Sequence, residues 1–236
     1  MERIRISGKN LGALALPSFC PRCFWISMHA EGLPYQIFPG IFSSIDSFTK
    51  KVTNIHYESH STIPKWLQSF GELNKPVKSP SHASFFIIDS DTNIHLTGAA
   101  DEIIQRNDGS YFIVDYKTAK FTGNQDRLLP IYEVQLNAYA YISNKTAFNP
   151  VSGIGLVYFE PKTDLTVQTL DNVLMDDGFK LPFSAKLLPL KLQPDKIIPP
   201  LLKKVREIVD LNSPPDRTFG CDDCEKLDML IRLVKS

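Results

Sequence analysis

Leu96-Thr97-Gly98-Ala99-Ala100-Asp101-Glu102-Ile103-Ile104-Gln105-Arg106-Asn107-Asp108-Gly109-Ser110-Tyr111-Phe112-Ile113-Val114-Asp115-Tyr116-Lys117 reads as a β-hairpin. Apolar, β-forming runs flank Asn107-Asp108-Gly109, a turn signal whose glycine tolerates positive φ. Side chains alternate along a strand, so Tyr111, Ile113, Asp115 and Lys117 share one face. A three-residue loop with Gly109 left-handed pairs Arg106 with Ser110 and sets Asp101 across from Asp115 on that face. A two-residue loop, Asp108-Gly109, slips the register by one and turns Asp101 to the wrong face. The longer loop, or a bulge of equal effect, is expected.

Working outward, Ala83–Asp89 and Asn93–Arg106 read as strands before the turn and Tyr111–Thr118 as the strand after it. A helix over about Ile131–Ser143 follows, then a strand over Gly153–Glu160 and another near Leu165–Leu170. Upstream, Ile4–His29 reads as a loop leading into a helix, and Pro34 and Pro39 mark a loop. Ile41, Ile45, Phe48 and Val52 have the spacing of a buried helical face, predicting a helix over Gly40–Val52. Thr53–Ser84 is polar and broken by Pro64, Pro76 and Pro80, with a short helix near Trp66. Prolines at 182, 189, 194, 199 and 200 punctuate a less regular region, and helices over about Leu201–Leu211 and Cys224–Val234 end the chain. The pattern is mixed α/β with a partly antiparallel central sheet.

The 236 residues are 43% hydrophobic and 22% charged, enough for a sizeable core without staples. No apolar run approaches the roughly 18–20 residues that span a bilayer, and Met1–Asn10 lacks the apolar stretch of a secretory signal. A cytoplasmic protein with no membrane partner is expected. Net charge is zero, but seven basic residues (Lys180, Lys186, Lys191, Lys196, Lys203, Lys204, Arg206) stand against Asp195 alone between Gly178 and Arg206. That bias suits a face gripping phosphates or an ordinary solvated helix face equally well.

Hydrolysis of a phosphodiester needs a divalent ion to activate water and neutralise charge on the phosphate. Hard ions such as Mg²⁺ or Mn²⁺ take carboxylate oxygens, and Asp101 and Asp115 on adjacent strands can share one. Lys117, two residues after Asp115, points the same way and can orient the water or stabilise developing charge. Asp-x-Lys alone is a weak signal, since Glu160-Pro161-Lys162 has a similar form. The company of Asp115 strengthens it: Phe112-Ile113-Val114 is an apolar strand whose polar ending is costly without a purpose. Gln135 and Tyr139, at i and i+4, lie on one helical face and can both reach a phosphate or a frayed base.

Gly98-x-x-Asp101, Asp115-x-Lys117 and Gln135-x-x-x-Tyr139, in this order and spacing, resemble the motifs of PD-(D/E)XK nucleases in the RecB-like and Cas4-like exonuclease branch. The resemblance covers roughly Ile4–Glu160 and the cysteines near both ends. It implies a restriction-endonuclease-like core: a central mixed sheet flanked by helices. It also implies Mg²⁺ or Mn²⁺ on Asp101 and Asp115, catalysis by Lys117, and DNA contact by Gln135 and Tyr139. An earlier motif, Gly40-Ile41-Phe42-Ser43-Ser44-Ile45-Asp46, is its looser counterpart, with Asp46 as a further metal ligand; His56 or Glu58 can fill that place instead. The implied substrate is DNA, single-stranded or with free ends, in repair, recombination or CRISPR adaptation, where protein partners are expected.

All four cysteines fall in two pairs, Cys20-Pro21-Arg22-Cys23 and Cys221-Asp222-Asp223-Cys224. Two Cys-x-x-Cys pairs in a reducing compartment read as a four-thiolate metal site rather than disulfides. Relatives in the resembling branch hold a [4Fe-4S] cluster, which the resemblance therefore implies. Their cysteines usually divide one before and three after the core, whereas these divide two and two, which leaves Zn²⁺ open. Either group ties the termini together. The expected organisation is one domain over residues 1–236, with a nuclease core over about 36–170 and a cysteine subregion formed by 1–30 and 195–236. Two other functions fit less of this pattern: a catalytically inactive nucleic-acid-binding module on the same fold, and a metal-stapled structural protein.

Overall fold

A computed structural model describes residues 2–30, 40–122 and 126–235. The loop expected at Pro34 and Pro39 lies outside them. The hairpin forms as its turn dictates. Gly109 has φ +85°, Arg106 N–H donates to Ser110 O at 2.8 Å, and Gly109 N–H donates back to Arg106 O at 3.1 Å. β5 (Glu102–Arg106) and β6 (Tyr111–Lys117) pair antiparallel with Glu102 opposite Val114 and Gln105 opposite Tyr111. That is the register of the three-residue loop.

The hairpin is the middle of a five-stranded sheet in the order β10-β7-β6-β5-β2, with β2 Leu73–Val77, β7 Val151–Pro161 and β10 Phe183–Leu190. β6 and β7 run parallel, joined by helix α4 (Leu129–Asn144), and the other neighbours are antiparallel. A smaller sheet, β1-β4-β3, is made from Ile4–Ser7, Ile94–Thr97 and Phe86–Asp89. This is the expected α/β fold, a mixed central sheet flanked by helices.

Alternation along β6 serves two cores at once. Ile113 joins a cluster with Leu136, Ala138 and Ile142 of α4, whereas Phe112, Val114 and Tyr116 join Leu67, Phe70 and Phe159 on the opposite face. α4 is buried over residues 134–143 because α1 (Gly8–Gly12) and α5 (Pro194–Val209) pack against it. α3 (Gly40–His60) packs on the other face, where Thr53 Oγ1 and Tyr116 Oη lie 2.9 Å apart. A strand covered on both faces loses the clean apolar–polar alternation, which is why β6 is apolar on both faces up to Asp115.

Several elements differ from expectation. Ile4–Ser7, taken for loop, is a strand made by a parallel partner, β4. Asn93–Arg106 is two strands in different sheets, separated by Gly98–Asp101. α3 runs on to His60, and the proline-bearing segment after it supplies β2. No strand forms at Leu165–Leu170; a single turn at Leu170–Asn172 leads instead to the short pair β8 (Leu174–Met175) and β9 (Gly178–Phe179). β10 admits Pro189 because it is the sheet's edge, where a missing N–H costs no ladder bond. α5 begins at Pro194 and carries Pro199 and Pro200 inside it.

Arg206, one of the seven basic residues that could have gripped phosphate, is buried. It donates to Thr92 O at 2.7 Å, Glu2 O at 3.0 Å and Asp210 Oδ1 at 3.0 Å, tying α5 to the small sheet.

Candidate active site and cysteine centre

Asp101 sits just before β5 and Asp115 near the end of β6, so the hairpin register brings them together. Asp101 is fixed from both sides: its Oδ2 accepts from Tyr116 N–H at 2.8 Å and its Oδ1 lies 2.9 Å from Lys50 Nζ. Asp115 is 2% exposed. Its Oδ2 pairs with Lys117 Nζ at 2.5 Å, and its Oδ1 accepts from Gln135 Nε2 at 3.2 Å. Burial, and then the charge of Asp101, push its carboxyl up to about 6 despite the Lys117 ammonium beside it. Lys117 reaches back over the Tyr132 ring of α4, 4.2 Å from the centroid.

Gly98 has a reason in packing. A Cβ there would stand 2.8 Å from the Tyr139 ring and 2.9 Å from the Phe85 ring, so only glycine lets α4 come this close to the Gly98–Asp101 bend. That approach seats Gln135 against Asp115. Gln135 also donates to Tyr139 Oη at 2.7 Å, and its Oε1 is buried without a partner. Gln135 and Tyr139 are 6% and 5% exposed. Both therefore sit beneath Asp115, because α4 is sandwiched and its motif face turns inward.

Asp46 lies on α3 as expected, and it meets Asp101 through a shared cation. Lys50, one turn later, stands between the acids, 2.7 Å from Asp46 Oδ2 and 2.9 Å from Asp101 Oδ1. Burial opposes the charge on Lys50, but Asp101 and Asp46 outweigh it and raise its pKa. The alternatives to Asp46 lie elsewhere. His56 stacks on His60 with ring centroids 4.5 Å apart, and Glu58 is exposed, about 18 Å along the helix from Asp46 at 1.5 Å per residue.

Two neighbours were not anticipated. Lys50 follows Asp46 by four residues, an i,i+4 spacing that offered a hint. Glu102, next to Asp101 but on the opposite face, is 2% exposed and accepts from Asn54 Nδ2 at 3.3 Å. Burial and the Asp101 charge raise its carboxyl to about 8.

The cysteines converge where α2 and α6 begin. Cys20 caps α2 (Pro21–His29), and Cys221 precedes α6 (Asp222–Lys235), so each pair straddles a helix N-terminus. Cys20 and Cys224 are buried, Cys23 and Cys221 half-buried, and none is in a disulfide. The sulfurs lie 3.3 Å (Cys23–Cys224), 3.5 Å (Cys23–Cys221) and 3.7 Å (Cys20–Cys224) apart, all four within 4.8 Å of one another. Thr218 N–H donates to Cys20 Sγ at 3.4 Å. Burial resists ionisation of Cys20, but the Cys23 and Thr218 N–H groups and the neighbouring thiols lower its pKa to about 6. Four ligand-competent sulfurs in one cluster can bind a metal ion.

The sequence profile of the PD-(D/E)XK nuclease superfamily matches residues 33–228, so the chain belongs to that superfamily. Members are in general nucleases that use divalent metals, and their substrates are nucleic acids. No curated protein matches the chain. Of solved structures, one described as "Crystal structure of SSO0001" is similar at 17% identity and a TM-score of 0.41, covering 91% of this chain and 80% of that one. Among the described residues, no helix is long and apolar enough to cross a membrane.

Proposed function

We propose that this protein is a divalent-metal-dependent DNA nuclease, an exonuclease of the RecB-like and Cas4-like branch acting on single strands or free ends in repair, recombination or CRISPR adaptation. The carrying observation is the constellation at the hairpin's open end: a buried Asp115 held by Lys117 and Gln135, with Asp101 across from it. Burying an ionised carboxylate is costly unless it is paired or takes a cation. The donor set suits Mg²⁺ or Mn²⁺: two carboxylates and the orphaned Oε1 of Gln135 are hard oxygen donors.

When bound there, such an ion supplies an activated water and charge for the phosphate. The chain supplies the rest. Asp101 and Asp115 hold the ion, and the Tyr116 N–H and Gln135 amide keep their oxygens from turning away. Lys117 is 18% exposed at its side chain, open enough to hold a water or a phosphate oxygen while Tyr132 steadies it. Gln135 and Tyr139 act as positioning residues beneath the carboxylates. Asp46, which shares Lys50 with Asp101, stands near enough to add a third carboxylate to the ion. The whole chain works as one domain in the cytoplasm, its core over about 36–170.

The test is degradation of end-labelled single- and double-stranded DNA with Mn²⁺, Mg²⁺ or EDTA, beside Lys117→Ala. Metal-dependent cleavage that falls at least ~100-fold in the variant is expected, the scale of losing one charge-stabilising group. Cleavage that persists in EDTA would overturn the metal-dependent mechanism at Asp101 and Asp115, and no cleavage by a folded protein would move the assignment to a nucleic-acid-binding module.

A further inference from the structure

The cysteine cage is small, and its size discriminates between the groups a four-thiolate site can hold. In a [4Fe-4S] cube the irons stand at alternate corners with each thiolate outside its own iron, which spreads the four cysteine sulfurs to roughly 6 Å from one another. A single tetrahedral ion with bonds of about 2.3 Å draws them to about 3.8 Å. Here three sulfur–sulfur separations are 3.3, 3.5 and 3.7 Å, and none exceeds 4.8 Å. The iron–sulfur cluster implied by the family resemblance does not fit this cage. We infer that the four cysteines hold one tetrahedral Zn²⁺, a structural and redox-inert centre that fastens α6 to α2.

The surroundings agree with a closed structural site. Two cysteines come from each of two helix starts, so the aligned N–H groups of both helices face the excess negative charge of a tetrathiolate zinc centre. All four positions are filled by thiolate, leaving no open coordination site for substrate or water. Around the cage Arg22 Nη2 pairs with Asp228 Oδ1 at 3.2 Å and Arg217 Nη1 with Asp228 Oδ2 at 3.4 Å, closing the seam between the two helices.

Outside that seam, α6 buries little apolar surface against the described residues. Met229 and Leu230 are each 55% exposed, and Val234 more so. A helix that leaves its apolar residues in water cannot be anchored by core burial. The metal is its main attachment.

The experiment is expression and purification of the whole chain without oxygen, in iron-replete medium with iron–sulfur assembly enzymes supplied, so that a cluster has the first claim on the site. Expected are one zinc per chain by elemental analysis, no acid-labile sulfide and no broad absorption near about 400 nm. Replacing the ion with Co²⁺ should give the visible bands of a tetrahedral tetrathiolate. Cys23→Ser should drop zinc below stoichiometry. Should that variant fail to fold, chelation of the wild type followed by readdition of Zn²⁺ gives the same comparison, with recovered melting temperature as readout. Iron and sulfide in about fourfold ratio to protein, or a metal-free yet fully stable wild type, would overturn the inference. Neither readout depends on DNA cleavage, so the outcome is separate from that of the nuclease assay.

Discussion

Lys50 Nζ stands 2.9 Å from Asp101 Oδ1 and 2.7 Å from Asp46 Oδ2, a cation from α3 set against a carboxylate proposed to hold metal. A fixed positive charge there repels an incoming ion. Lys50→Met should tighten Mn²⁺ binding several-fold, because removing a charge at a partly exposed position is worth on the order of 1 kcal/mol. Titration calorimetry at pH 7.5 checks this. Weaker binding in the variant would mean that Lys50 matters more for placing Asp101 than for its charge.

Gln135 lies under Asp115 and donates to it at 3.2 Å. Groups that orient a metal ligand typically cost ~10–100-fold in metal affinity or activity when removed. Gln135→Leu, which fills the buried space, should weaken Mn²⁺ binding about 10-fold and leave DNA affinity measured in EDTA unchanged. An anisotropy titration showing lost DNA affinity with intact metal binding would return Gln135 to the DNA interface.

The raised carboxyl of Glu102 makes a pH prediction. Its pKa of about 8 lies above the ordinary 4.5, so between those values the folded state binds the extra proton. Stability from this group is fully present below pH 4.5 and is lost as pH rises through about 8. Glu102→Gln should therefore melt higher than wild type at pH 8.5 and level with it near pH 4.5, both in EDTA. Equal melting at both pH values would show that Glu102 is not held protonated by its burial.

Cysteine ligation should register in stability before it registers in chemistry. Cys221→Ser, or chelation of the wild type, should lower the melting temperature by several degrees and expose 216–235 to protease, since binding energy at a structural metal is folding energy. Metal-dependent cleavage assayed well below the new melting point should persist. An unchanged melting temperature in Cys221→Ser would contradict a stapling role.

Much of the site was legible because it is local. Asn107-Asp108-Gly109 dictates a three-residue loop, and the loop dictates that Asp101 falls opposite Asp115. Elements made by distant partners were not legible. Ile4–Ser7 is a strand only because β4 lies alongside it, and Phe183–Leu190 only because β7 offers an edge that tolerates Pro189. The spacing of Gln135 and Tyr139 was visible, yet whether that face met solvent or sheet depended on α1 and α5 covering α4.

By itself, then, the sequence determined the hairpin register, the carboxylate–lysine face and the pairing of cysteines into Cys-x-x-Cys units, since period-two alternation, turn chemistry and short spacings act within a few residues. Tertiary structure alone decided that Lys50 sits between Asp46 and Asp101, that Gln135 and Tyr139 lie buried beneath Asp115, and that Cys20 comes within 3.7 Å of Cys224 across 204 residues. Those distances depend on how helices dock on a sheet covered on both faces, and docking is set by the summed packing of the two cores rather than by any local pattern.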